Sequence, residues 1–465
     1  MDRVSDRAFE FSVVSATPLR DAALRALGAV FWTAADGLFL ACVATDKAVR
    51  RVGAGTQHFL ADVPGSLGVA AVRAGAFTVE RRAPLTALAV ILVGAGIGWN
   101  ATAPAAVPGR HPLSATHAVP TKLVTAAVTI RTPRHRPPSA PAPAALQREL
   151  SELAASYDEP VGIAVSDVTE GWVASVDGQQ AFPQQSVSKL WVAITAMDAV
   201  DQGRMRLDQG VLLTDDDRSV FFQPITYRID KDGYQTTVDE LLNKALITSD
   251  NAANDKLMGM VGGPVAVHEV LQRKDIEGVS LAEDEKHLQA HIAGMTWTPQ
   301  FRPYGAFEEA RGRLPREVRD KAMQAYLDAP YDGASPVGIV QALSALKRGE
   351  LLSPGSTDVI LGAMAKARTG PRRLAGGLPS GWKIAHKTGT GQDWRGATYG
   401  INDVGLLTAP DGRTYAVAVM MPKTHKPVPA RLEFMQAVSR AVVGNWQAER
   451  RTVASLRGSE AVRGD

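Results

Sequence analysis

The chain has 465 residues, 45% of them hydrophobic, with 51 basic against 48 acidic side chains and a net charge of +3. That is enough apolar material for a large core and more length than one ordinary domain needs, and so balanced a charge argues against a nucleic-acid binder working through a basic surface. The one cysteine, Cys42, lies near the start, so disulfides, thiol catalysis and cysteine-ligated metal are excluded from everything after it.

Residues 1–80 carry no repeat and no motif. Arg81 and Arg82 then precede an uncharged run from Ala83 to Trp99, followed by small residues with Ala101-x-Ala103 spacing. A basic end, a short apolar stretch and small residues form the pattern of an export signal. Residues 81–100 are therefore expected to be a signal peptide or signal-anchor. The protein is then periplasmic or exported, with the inner membrane as its anchor if residues 83–99 are retained. The run is short and glycine-rich for a spanning helix, which needs about 20 residues. Its late position reads as a start placed too far upstream, since no methionine lies between Met1 and the run; a cytoplasmic extension is the alternative. Residues 101–143 are rich in Pro, Ala and Thr and are expected to be an extended linker. A folded domain is expected over 144–450, and a polar disordered tail over 451–465.

Within that domain, Leu146–Tyr157 reads as a helix. Val161–Ser166 and Trp172–Val176 read as strands joined by a turn at Thr169-Glu170-Gly171. Apolar residues at helical spacing run from Ser186 to Val200 and stop at Gly203. Thr237-Val238-Asp239-Glu240 has the form of a capping box opening a helix to about Ile247. Ser335-Pro336 pairs an N-cap with proline at the first helical position, and that helix stops at Gly349. Strands are expected at Lys383–Lys387, Asp403–Thr408 and Tyr415–Met421, with a last helix over Ala430–Gln447. Strands at both ends with helices between them place the two chain ends in one sheet, an α/β arrangement.

Three short motifs carry chemistry. Ser186-Val187-Ser188-Lys189 puts a hydroxyl and an amine at i and i+3, on one helical face. Serine alone is a poor nucleophile, and a neighbouring amine can take its proton. Ser249-Asp250-Asn251 offers a second hydroxyl to relay a proton and an amide to hold a substrate carbonyl. Lys387-Thr388-Gly389, at a strand end, offers a positive charge for a carboxylate and a glycine that lets substrate lie close. Each motif alone also reads as an ordinary turn or cap. All three, in order and in helix, loop and strand contexts, point to serine acyl transfer.

The triplet Ser-x-x-Lys, Ser-Asp-Asn and Lys-Thr-Gly resembles the signature of class A β-lactamases and penicillin-binding proteins. The resemblance covers roughly residues 146–447, and Leu246 to Asn254 and Lys387 to Gly391 are close to class A wording. It implies a five-stranded antiparallel sheet flanked by helices beside an all-helical subdomain, with the site between them. It also implies Ser186 as nucleophile, Lys189 or Glu285 acting through a water as its proton acceptor, a choice disputed for the family, Ser249 as proton donor to the leaving nitrogen, and Lys387 and Thr388 as carboxylate binders. The oxyanion hole would be the backbone N–H groups of Ser186 and Thr390.

Class A enzymes free the acylated serine with the Glu of a Glu-x-x-Leu-Asn segment. At the corresponding spacing stands Glu285-Lys286-His287-Leu288-Gln289. Glu285 is expected to activate the water and Gln289 to help hold it; the Gln for Asn and the absence of the usual Arg-Trp and Pro are departures. Glu283 is a neighbouring alternative. Residues 290–334 are longer than the family's corresponding segment and read as a packed helical insertion or a reshaped rim. Arg395 reads as a carboxylate binder or a surface ion pair, and His386 as pointing away from Lys387. His287 and His291 stand four apart with no cysteine near and no His-Glu-x-x-His, so neither a metal nor any other cofactor is expected.

The expected substrate is a β-lactam or a peptidoglycan-like small molecule, and the expected state a monomer. Two alternatives use the same motifs: a penicillin-binding-type D-Ala-D-Ala carboxypeptidase, and a β-lactam-sensing or cell-wall-binding module without turnover.

Overall fold

The computed structural model describes residues 140–463, so the apolar run at 83–99 and most of the Pro/Ala-rich stretch lie outside the described residues. The chain enters through helix α1 (Ala144–Tyr157), which turns Leu146, Leu150 and Tyr157 inward. Leu146 and Leu150 stand one helical turn apart and so share a face.

A five-stranded sheet follows the order β2 (Val173–Val176), β1 (Gly162–Asp167), β11 (Thr414–Met421), β10 (Ile401–Thr408), β7 (Lys383–Thr390), and every pairing is antiparallel. Both ends of the described domain therefore share it. Strand alternation sorts its residues. Tyr415, Val417, Val419 and Met421 face a core shared with α1 and with the terminal helix α11 (Val428–Arg463). Ala416, Ala418 and Met420 face the core of the helical part. Burial on both faces explains why β1 and β11 read as continuous apolar runs rather than alternating ones. Three short antiparallel pairs lie outside this sheet: β3 (Phe182–Pro183) with β6 (Gly333–Ala334), β4 (Gly210–Leu213) with β5 (Tyr234–Thr237), and β8 (Asp393–Trp394) with β9 (Ala397–Thr398).

Helix α2 (Lys189–Asp201) runs through the middle of the helical part and is buried from Lys189 to Ala199. The helical part also holds α3 (Val238–Asn243), α4 (Asn251–Met260), α5 (Gly263–Arg273), α6 (Glu285–Ile292), α7 (Ala306–Gly312) and α8 (Arg316–Asp328), of which α4 and α5 pack on α2. Helix α9 (Pro336–Lys347) packs on β1 and β11, and α10 (Pro354–Ala365) on β7 and α2. Ser335 caps α9 through its Oγ, which accepts the Gly338 N–H at 3.0 Å. Among the described residues no helix is long and apolar enough to cross a membrane.

Four local expectations change. Ser186 does not open the long helix; it sits in a tighter 3-10 turn, Gln185–Ser188, because Gln185 adopts a left-handed φ of 53°. The capping box at Thr237 is half formed. Thr237 Oγ1 accepts the Glu240 N–H, but the Glu240 carboxylate turns to Tyr234 and Thr236 instead. The helix it opens widens into a π-turn, Lys244–Thr248, ending on Ser249 with φ 63°. Lastly, α11 continues to Arg463 through the segment expected to be a disordered tail. Ala, Arg, Glu and Leu are strong helix formers and extend an already nucleated helix.

Candidate active site

The site lies where the sheet edge β7 meets the helical part. Its centre is Lys189, buried at the start of α2. The Lys189 ammonium donates to Ser186 Oγ at 2.6 Å and to Glu285 Oε2 at 2.8 Å. One amine therefore bridges the predicted nucleophile and the predicted water-activating carboxylate. Burial of Lys189 and Glu285 in a low-dielectric setting strengthens the bridge. Glu285 opens α6, and its backbone N–H is held by Asp255 Oδ1 at 2.8 Å. Burial, followed by the nearby Asp284, pushes the Asp255 carboxyl up to about 7.

Across from this bridge, Lys387 Nζ donates to Ser249 Oγ at 2.9 Å and to the Thr388 carbonyl at 2.9 Å. Burial, and then the second ammonium of Lys189, push Lys387 well below the usual lysine range. The π-turn and the left-handed Ser249 aim this hydroxyl at the strand; wide turns of this kind recur at functional sites. Asp250 begins α4 by accepting the Ala253 N–H at 3.0 Å and pins the neighbouring segment through the Ile225 N–H at 2.7 Å. Asn251 Nδ2 donates to the Val220 carbonyl at 2.8 Å.

The nucleophile turn is tied to the sheet through its backbone. Asn402 Nδ2 donates to the carbonyls of Pro183 at 2.8 Å and Gln184 at 2.9 Å. Gly389 is required here, because a Cβ would stand 2.2 Å from the Gln184 carbonyl oxygen. Gly391 is required equally, since a Cβ would meet the Tyr399 carbonyl oxygen at 1.8 Å. These close approaches bring Thr390, exposed at the strand end, beside the turn that carries Ser186.

With this geometry stands a family match. A model described as the β-lactamase enzyme family matches residues 145–446. The chain belongs to the β-lactamase enzyme family. It is 29% identical over 282 residues to the extended-spectrum β-lactamase PER-1 of Pseudomonas aeruginosa, covering 59% of this chain and 79% of that protein. It is 26% identical over 265 residues to the β-lactamase VEB-1 of the same organism, covering 56% of this chain and 77% of that protein. Among solved structures, an ancestral class A β-lactamase superposes with a TM-score of 0.51 at 28% identity, covering 64% of this chain and 99% of the other.

For this β-lactamase-family chain the remaining predicted residues fall as follows. Glu283 stays out of the site, because its Oε1 pairs with His291 Nδ1 at 2.7 Å. His287 pairs with Asp284. Arg395 makes the surface ion pair, with Asp320 at 2.7 Å. His386 turns from Lys387 to bond Asp403 at 2.8 Å. Residues 290–334 are packed: Phe307 is buried against Phe221 and Phe301.

Gln289 differs from expectation. Its amide nitrogen donates to Gln185 Oε1 at 2.8 Å and to Glu285 Oε1 at 2.9 Å, so both N–H bonds are used. Its Oε1 accepts from Gln392 Nε2 at 3.0 Å. The extra methylene lets Gln289 steady the carboxylate and the nucleophile turn instead of presenting a free amide to water.

Sequence reasoning missed Arg373, which is buried and donates to the carbonyls of Gly389 at 3.0 Å and Asn402 at 2.8 Å, and to Thr390 Oγ1 at 2.7 Å. It also missed Gln185, whose amide donates to Tyr326 Oη at 2.6 Å, and Asp332, which accepts from Tyr326 Oη at 2.8 Å and from the Gln185 N–H. No short motif marks any of them.

Proposed function

We propose that this chain is a class A-type serine β-lactamase that opens the β-lactam amide through an acyl-enzyme on Ser186. The observation that carries the reading is the Lys189 bridge, 2.6 Å to Ser186 Oγ and 2.8 Å to Glu285 Oε2. A module that stays acylated has no need for a water-activating carboxylate at that point. The relatives PER-1 and VEB-1 are themselves named β-lactamases.

The proton of Ser186 leaves along the Lys189 contact, with Glu285 beyond it, as Oγ bonds to the lactam carbonyl carbon. The backbone N–H groups of Ser186 and Thr390 take the developing negative charge. The C–N bond breaks, and Ser249 gives its proton to the departing nitrogen. Lys387 and Thr388 hold the substrate carboxylate, and Asn251 orients the side-chain amide. The proton taken from Ser186 passes on from Lys189 to Ser249, which leaves Glu285 ionised. Glu285 then removes a proton from a water as its oxygen attacks the acyl carbon; the ester C–O bond breaks, and that proton returns to Ser186 Oγ. Export through residues 81–100 belongs to the same proposal and rests on the sequence pattern alone.

Incubation of the full chain with a chromogenic cephalosporin tests the function. Multiple turnovers that vanish in Ser186→Ala are expected. A single stoichiometric burst followed by a stable adduct would instead assign a sensor or penicillin-binding role.

A further inference from the structure

Arg319, on α8, is 7% exposed, and among the described residues no carboxylate pairs with it. Its guanidinium lies 3.7 Å above the Trp394 ring, in the short hairpin of β8 and β9. Stacking satisfies the face of the guanidinium but not its edge. Nε and Nη2 are sealed from solvent and meet no acceptor among the described residues. The nearest acid on its own helix, Asp320, is already committed to Trp394 Nε1 at 2.6 Å and to Arg395. A second cation, Arg311 on α7, stands close enough to oppose the Arg319 charge; burial first, and then that neighbour, bring Arg319 down to about 10. Arg311 itself covers the Phe221 ring at 5.2 Å and donates to Gln392 Oε1 at 2.8 Å. Two arginines thus meet at this seam, Arg319 buried and Arg311 half-buried, with no ion pair to either among the described residues; Asp320 beside Arg319, and Glu308 and Asp393 beside Arg311, offset only part of their charge. A buried, unpaired charge carries a large desolvation penalty and is normally matched by a counter-charge.

We propose that the seam between α8 and the β8–β9 hairpin is an anion-binding site, in which Arg319, backed by Arg311, takes a carboxylate or similar two-oxygen anion. A planar guanidinium fork matches two oxygens better than it matches a spherical halide. The site adjoins the catalytic centre without belonging to it: Arg311 touches Gln392, Gln392 touches Gln289, and Gln289 touches Glu285. The anion has two sources, a carboxylate on the acyl side chain of a substrate or a free small anion.

The test is thermal unfolding of the full chain with acetate or inorganic phosphate exchanged for chloride at constant ionic strength. The wild-type midpoint is expected to rise by about 2–4 °C at ten times the half-saturating anion concentration. Arg319→Met, which keeps the stem and removes the charge, is expected to lose that rise while melting no lower in chloride. Absence of a rise in the wild type, or its persistence in Arg319→Met, overturns the site. If Arg319→Met does not fold, Arg311→Gln replaces it, with a weaker anion response expected and an unchanged one counting against the proposal. A kinetic arm separates the sources and alone rests on the β-lactamase reading. KM for a cephalosporin with a carboxylate on its acyl side chain rises about tenfold in Arg319→Met if the substrate supplies the anion, and matches that for an uncharged analogue if a free anion does.

Discussion

Each oxygen of Glu285 is committed, one to Lys189 and one to Gln289, so the carboxylate is held in place before any substrate arrives. Replacing it by glutamine keeps the shape and removes the base. Glu285→Gln is therefore expected to acylate and then stall, with hydrolysis of the adduct slowed about 10²–10⁴-fold, the usual worth of a positioned general base. Intact-mass measurement after mixing with a β-lactam reads this directly; wild-type turnover in the variant would remove Glu285 from the role. Arg373 makes a different prediction. It satisfies two buried carbonyls and the Thr390 hydroxyl at once, so Arg373→Met strands them and is expected to cost about 3 kcal/mol of stability. Denaturant unfolding measures this, and a loss below about 1 kcal/mol would mean that water replaces the guanidinium. The contrast explains what could be read in advance. Ser186, Lys189, Ser249 and Lys387 are reactive types in short motifs, and Glu285 was found by its spacing. Gln185, Arg373, Gln392 and Asp332 are ordinary polar residues whose importance comes only from partners distant in the chain.

At the scale of elements, the start of α6 is what places Glu285, and Asp255 holds that start. Its carboxylate accepts the N–H groups of Glu285 at 2.8 Å and Lys286 at 3.2 Å, and the Ser219 hydroxyl at 2.7 Å. The Asp255 carboxyl is raised to about 7 in the fold, against about 3.9 when unfolded. Between those values the folded state binds the extra proton. Stability therefore falls as pH rises across that window, by up to about 1.4 kcal/mol per unit, and the penalty is absent below it and complete above it. Asp255→Asn removes this share of the slope but not that of Asp250, raised to about 6, or Asp332, raised to about 7. Urea midpoints from about pH 4.5 to 8 should fall less steeply in the variant; parallel curves would show that Asp255 ionises in the fold without penalty. The helix–loop–strand contexts were legible because periodicity and caps are local. The 3-10 turn at Ser186 and the π-turn before Ser249 were not, since both depend on left-handed residues, Gln185 and Ser249, that are neither glycine nor asparagine.

For the whole molecule, the sheet joins the two ends of the domain, so stability should depend on where each end is cut. At the C-terminal side, Phe434, Met435, Val438, Ala441, Val442 and Trp446 of α11 are buried against the sheet. Trp446 Nε1 also donates to Asp411 at 2.8 Å, and Glu449 pairs with Arg413 at 2.6 Å. These contacts all precede Arg451. A chain ending after Arg451 is therefore expected to melt within about 2 °C of the full one, despite losing the last turns of the helix. A chain ending after Asn445 loses the Trp446 ring, worth about 3–5 kcal/mol for a large buried aromatic, and should melt roughly 6 °C or more lower. Comparing the two melting temperatures decides whether the continuation to Arg463 is an extension by helix propensity or a packed part of the domain. A large drop already in the chain that ends after Arg451 would make residues 452–463 a packed part.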